Sequence, residues 1–222
     1  MSRHLQKDIE SLKNKIIQMG EDVEDRVYRA TLSIIKHDKR MAQDVIDHDA
    51  EIDAIEVAIE EDCLRILALH QPVAVDLRFI ITVMKINSEL ERVGDLAVNI
   101  AERSVFLAGQ VDVKIPYDIS GMALQVESML TRSIDCLVNM DVPLAYRIRS
   151  EDDEVDEKNQ EMYTHLKDAI SKNPDQINYL LHSLSVGRHL ERIADHATNI
   201  AEEVIYLIDA VIVRHTPETF EE

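Results

Sequence analysis

The sequence predicts an all-α protein of two tandem antiparallel three-helix bundles, and three observations lead to this prediction. Hydrophobic residues recur with helical periodicity along almost all of the 222 residues, and only five glycines interrupt them. A block of the chain also returns one hundred residues later: LERVGDLAVNIAE at 90–102 and LERIADHATNIAE at 190–202 share nine of thirteen positions. Most of these identities are polar. Because packing does not dictate polar surface residues, their repetition indicates a shared role.

Six long helices follow from the periodicity and from the places where it breaks. A polar Lys-His-Asp-Lys run ends the first helix, and Gln71-Pro72 ends the second. The Asp-Val-Pro sequence at 141–143 offers a cap and a first-turn proline for the fifth. No convincing strand is found. The expected helices span about 5–35, 41–69, 73–107, 120–140, 142–173 and 175–213.

The repeat divides the chain into two homologous halves. The segment 108–117 contains a glycine and a proline and has no helical period, so it is predicted to be a linker. Long helices joined by short connections pack as antiparallel neighbours. The predicted domains are therefore a first three-helix bundle at 1–107 and a second at 118–222.

The composition excludes several classes of protein. A formal net charge of −19 argues against nucleic-acid binding and against adsorption to anionic lipid, but it suits cations or a basic partner. The longest apolar stretches are too short to span a bilayer, and the first residues lack the apolar core of a signal peptide. Cys63 and Cys136 have no CxxC spacing and are expected to be buried core residues. A cytoplasmic location is expected.

Carboxylates spaced four residues apart form acidic stripes on two helices of each half. In the first half, Asp49 and Asp53 flank the apolar stripe of the second helix, and Glu91 and Asp95 lie on the third. Like charges at this spacing repel, and hard cations such as Mg²⁺, Mn²⁺ or iron would relieve the repulsion. A plain solvated face remains the alternative, since ExxxD is a weak motif. The corresponding residues of the second half are Asp152, Asp156, Glu191 and Asp195.

The second copy departs from the first in two ways. Asn159 and Tyr163 stand where the first acidic helix has glutamates, so the two sites need not hold the same number of ions. His196 replaces Leu96 at the border of the apolar face, and we expect a partly buried helix histidine rather than a ligand. His189 is expected at the surface.

Two motifs give the chain a family resemblance. The QPVAVDLR sequence at 71–78 and the duplicated LERxxDxxxNIAE helix resemble those of the PhoU family of bacterial phosphate-signalling regulators. The resemblance covers the whole chain. It implies tandem three-helix bundles that form cytoplasmic homodimers without established catalysis. It also implies a negative regulator of the phosphate regulon that links the ATPase of the Pst-type phosphate transporter to a sensor histidine kinase.

The resemblance further implies metal clusters on the acidic motifs. The ions would be divalent or trivalent, with iron, zinc, manganese and magnesium as candidates. The two asparagines of the repeat, Asn99 and Asn199, lie one turn beyond the acidic motifs and join the expected ligands. The full set is Asp49, Asp53, Glu91, Asp95 and Asn99 in the first half, and Asp152, Asp156, Glu191, Asp195 and Asn199 in the second.

Three functional classes fit the sequence to different degrees. A non-enzymatic signalling adaptor is the prediction that the resemblance favours. The alternative is a carboxylate-bridged metalloenzyme, but no glutamate has a histidine three residues on, as ferritin-like di-iron sites require, and neither acidic block contains a Ser, Thr or Cys nucleophile. A coiled-coil scaffold would need sustained heptads rather than a 3.6-residue period.

Overall fold

The computed structural model describes residues 3–110 and 113–214, and it confirms the all-α prediction. No strand occurs among these residues. Part of the predicted linker and both chain ends lie outside the described residues. The helices are α1 (Arg3–Ile35), α2 (Lys39–Asp47), α3 (Asp49–His70), α4 (Ala74–Leu107), α5 (Ile119–Asn139), α6 (Val142–Lys172) and α7 (Ile177–Asp209), with a 3₁₀ turn at Pro174–Gln176 before α7.

Aspartate caps begin the helices at the predicted breaks. The Asp38 carboxylate accepts from the backbone N–H groups of Arg40 and Met41 at the start of α2. Asp118 and Asp141 cap α5 and α6 in the same way. Each cap satisfies a backbone donor that has no partner within its helix.

The prediction of a single helix at 41–69 is wrong in one respect, because the helix is interrupted at His48 and forms α2 and α3. His48 leaves helical geometry with φ −104° and ψ 15°, and its Nδ1 lies 2.7 Å from the Asp44 carbonyl oxygen. Apolar residues continue with helical spacing on both sides, and no glycine or proline marks the break. The last helix also begins later and ends earlier than 175–213, because the 3₁₀ turn precedes it and Ala210 adopts a left-handed conformation after it.

Each half forms an antiparallel group of helices, and the two halves pack together through α4 and α7. The Arg78 side chain donates to the Leu207 carbonyl at one end of this pair, and the Phe106 ring stacks on His182 at the other. The two helices therefore run antiparallel. They form the most extensive helix–helix contact among the described residues, and the buried apolar side chains of both halves form one continuous core. The division into domains at 1–107 and 118–222 stays a prediction.

The remaining fold-level expectations concern the cysteines and membrane spans. Cys63 and Cys136 are both buried, as predicted, and burial raises the pKa of each thiol to about 12. No helix among the described residues has the length and apolar character needed to cross a bilayer.

Candidate functional site

The first acidic site lies where the start of α3 meets the middle of α4. Asp49, Asp53 and Asp95 each offer a carboxylate oxygen, and these three oxygens lie within 4.8 Å of one another. The sequence predicted this convergence from the spacing of the two motifs. Glu91, one turn before Asp95, is not part of this trio, although its charge interacts with Asp95, Glu56 and Asp53.

Burial and mutual repulsion both act on the carboxylates of the first site. Desolvation is the largest cause that raises the pKa of Asp49, Glu91 and Asp95, and neighbouring carboxylates raise it further. The guanidinium of Arg26 acts in the opposite direction on Asp49. Ionising these carboxylates therefore costs more free energy than ionising solvated ones, and a bound cation would reduce that cost.

The second acidic site combines α6 and α7. The pKa of Asp152 and of Asp195 is raised to about 6, mainly by desolvation. Neighbouring charges contribute to this rise: those of Asp195 and Asp156 act on Asp152, and those of Glu191 and Asp156 act on Asp195. The pKa of Glu191 is raised by burial and by Asp156 and Asp152. The second set of predicted carboxylates is thus also brought together. Among the described residues, however, it does not form a trio as tight as that of the first half.

The two predicted asparagine ligands have different surroundings. Asn99 donates its side-chain amide to the Asp95 backbone carbonyl at 2.8 Å, one turn earlier on the same helix. Asn199 donates to the Glu89 carboxylate, on α4, at 3.1 Å. An amide oxygen can also act as an acceptor or a metal ligand, and the role of both asparagines in binding metal stays a prediction.

Glu89 is the residue near the second site that the sequence analysis missed. Its carboxylate lies 2.6 Å from Nδ1 of His196, which is buried, and also accepts from Asn199. Desolvation raises the pKa of Glu89, but the two hydrogen bonds and the charges of His196 and Arg92 together lower it below its ordinary value. His196 is therefore a buried helix histidine, as expected, and its partner comes from the other half of the chain. Glu89 precedes the repeated block, so the repeat does not predict its contact with His196. Only the packing of α4 on α7 shows this contact.

His189 corrects another expectation, because it is half-buried rather than at the surface. Its Nδ1 is buried and has no hydrogen-bond partner among the described residues. Desolvation lowers the pKa of His189 to about 4, and Arg103 of α4 adds to the effect. The packing of α4 on α7 therefore buries a polar position that the pattern of α7 alone predicts to be exposed.

The donors at both sites match hard cations. The first site offers carboxylate oxygens from two helices, which suits Mg²⁺, Mn²⁺ or iron and lacks the His and Cys ligands that distinguish most zinc sites. At the second site the Thr198 hydroxyl lies beside the Asp152 carboxylate, whose pKa it lowers, and adds a further oxygen to the carboxylates. The residues present therefore fit a bound cation.

Comparison with known proteins decides the family. The model of the PhoU domain matches the chain twice, at residues 16–104 and 119–204. The chain belongs to the PhoU family. Each matched segment contains one of the two acidic sites.

Curated relatives and solved structures agree with this assignment. The chain is 40% identical to the phosphate-specific transport system accessory protein PhoU homolog of Aquifex aeolicus, over 94% of this chain and 95% of that protein. The crystal structure of PhoU from Pseudomonas aeruginosa has a TM-score of 0.89 at 34% identity and covers 93% of this chain and 99% of that one. The phosphate transport system regulatory protein PhoU from Streptococcus pneumoniae has a TM-score of 0.84 at 30% identity, covering 94% and 99%.

Proposed function

We propose that this chain is a regulatory accessory protein of a phosphate-transport system and acts as a negative regulator of phosphate uptake and of the phosphate regulon. The observation that carries the proposal is the match of two PhoU domains over most of the chain, together with relatives named as accessory proteins of phosphate-specific transport. Family membership at this identity and coverage supports a shared role better than fold alone would.

In this role the protein is a cytoplasmic adaptor rather than an enzyme. It contacts the ATPase of the Pst-type transporter and the sensor histidine kinase, and it keeps the kinase in its non-signalling state when phosphate is plentiful. A strongly acidic surface, with a net charge of −19, supports protein partners with basic surfaces. The protein acts as a homodimer, which light scattering of the purified chain would test.

The acidic sites bind cations that stabilise this regulatory state. Asp49, Asp53 and Asp95 offer converging oxygens, and the elevated pKa values of Asp152 and Asp195 indicate carboxylates whose repulsion a cation would offset. A bound ion would supply positive charge that offsets the repulsion between these carboxylates. The protein residues orient the oxygens for it.

A deletion strain tests the regulatory role. Removing the gene should activate phosphate-starvation reporters at high phosphate, and removing the sensor kinase as well should abolish that activation. Unchanged reporter expression in the single deletion would contradict the proposal. A carboxylate-bridged metalloenzyme would instead give a phenotype that is independent of the kinase.

A further inference from the structure

Two arginines of α1 hold the chain on either side of the break at His48. Arg29 pairs with Asp44, which lies on α2 before the break. Arg26, one turn earlier on α1, donates from Nη1 to the backbone carbonyl of Asp49 at 3.3 Å, and Asp49 is the first residue of α3. The break therefore has one arginine contact on each helix.

Arg26 is unusual because its side chain is almost completely buried. Only 8% of the residue is exposed. Because a buried arginine needs partners for its charge, its contacts are informative. Besides the Asp49 carbonyl, its Nη2 lies 3.6 Å from the Glu51 carboxylate. Both contacts are in the first turn of α3. A cation at a helix N-terminus opposes the helix dipole, so the dipole does not favour this position and the local contacts must hold it.

Arg26 contacts the backbone of a predicted ligand, Asp49. Asp49 forms one corner of the oxygen trio with Asp53 and Asp95. In the second half α6 runs without a break from Val142 to Lys172, and among the described residues its acidic motif forms no trio of this kind. The tight trio thus occurs in the half that has the break.

We propose that Arg26 is a positioning residue of the first acidic site: it holds the start of α3 so that Asp49 meets Asp53 and Asp95 around a divalent cation. This inference rests on the cation binding proposed above. Two effects of Arg26 oppose each other, because its positive charge disfavours a nearby cation while its contacts orient a ligand. Orientation of the ligand dominates, because residues that contact metal ligands commonly set the affinity of the site.

Titration of the purified chain with Mn²⁺ separates these effects. The parent for these variants carries Asp152→Asn and Asp195→Asn. These substitutions remove two carboxylates of the second site, so that the measured Mn²⁺ binding reports on the first site. Arg26→Lys retains the charge but loses the fork of the guanidinium, and Arg26→Met removes both. Arg29→Met removes an equal charge one turn away without touching α3. We expect calorimetry to show at least about tenfold weaker Mn²⁺ binding for both Arg26 variants. Arg29→Met should bind like the parent or slightly more tightly.

Hydrogen exchange gives a readout that does not depend on the ion. Amides at 46–53 should exchange faster in metal-free Arg26→Lys than in the parent, while helical circular dichroism stays unchanged. If Arg26→Met does not fold, Arg26→Lys decides the question.

Parent-like affinity in Arg26→Lys with equal or tighter binding in Arg26→Met would overturn the proposal, since charge alone would then act. Absence of Mn²⁺ binding by the parent would overturn it as well. That result would not bear on the regulatory role, which the deletion strain tests independently.

Discussion

The two halves of the chain carry the same acidic motif in different surroundings. In the first half the helix breaks before the motif, and three carboxylate oxygens converge beside a buried arginine. In the second half α6 is continuous, and burial raises the pKa of Asp152 and Asp195 to about 6. A repeated motif therefore specifies which residues meet, while the neighbouring helices decide their geometry and charge.

The α4–α7 contact shows the same principle within one interface. Because the halves repeat at an offset of one hundred and the helices are antiparallel, the Glu89–His196 contact has a related position formed by Leu96 and His189. The first is a hydrogen-bonded carboxylate–imidazole pair. At the second, Nδ1 of His189 is buried without a partner. We therefore expect the first position to stabilise the interface and the second to cost free energy.

The largest expected effect comes from breaking the Glu89–His196 pair. His196→Leu copies the first-half residue and leaves the Glu89 carboxylate half-buried without its imidazole, so we expect a loss of about 2 kcal/mol in the free energy of unfolding. Adding Glu89→Gln should cost less in that background than in the wild type. Urea unfolding of the four chains gives this coupling, and strictly additive effects would contradict it.

His189→Leu is the matched substitution at the related position. It removes a buried nitrogen that has no hydrogen-bond partner, so the free energy of unfolding should stay unchanged or rise by up to about 1 kcal/mol. A loss as large as that of His196→Leu in the same urea assay would show that the two positions are equivalent.

These two histidines also show how far the sequence could predict the molecule. Helical periodicity located most helix ends, and the repeat indicated which carboxylates converge, because both patterns are local or duplicated. The break at His48 had no glycine or proline to mark it, and its contacts come from α1. The hydrogen bonds of Glu89 and the burial of His189 depend on the packing of α4 against α7, so the sequence did not predict them. Long-range packing decides such features, and no single helix encodes it.

The next prediction concerns pH. The folded-state pKa of Asp152 and Asp195 lies above the ordinary value of 3.8, so the folded state binds their protons more tightly than the unfolded state does. The metal-free chain should therefore gain stability from these groups as pH falls from 7 towards 4, and lose it as pH rises through about 6. Solvent still reaches part of the Asp195 side chain and screens its share. The combined gain should be about 1 kcal/mol.

Asp152→Asn tests the source of this pH dependence. It should stabilise the chelator-treated chain at pH 7 by up to about 1 kcal/mol and flatten the dependence between pH 4 and 7. Asp49→Asn is the first-half control and should have a smaller effect, because the positive charge of Arg26 opposes the rise in the Asp49 pKa. Equal effects in thermal unfolding would contradict the difference between the two sites.

A further prediction compares a glycine with its counterpart in the repeat. Gly94 of α4 corresponds to Ala194 of α7, and a Cβ at Gly94 would meet Ile52 at an ordinary contact distance of 3.4 Å. Gly94→Ala should therefore raise the free energy of unfolding by about 0.5–1 kcal/mol through helix propensity. A loss of stability in urea unfolding would mean that α3 must approach α4 more closely in the first half than alanine allows.

The central claim is that one repeated motif forms two cation sites that are not equivalent, and crystals soaked in Mn²⁺ test it most directly. Anomalous scattering should reveal Mn²⁺ bound by Asp49, Asp53 and Asp95 in the first half, and a separate ion between α6 and α7 at Asp152, Asp156, Glu191 and Asp195. The ligand sets or ion numbers should differ between the halves. Absence of Mn²⁺ at both sites under saturating soak, or two superposable sites with identical ligands, would contradict the claim.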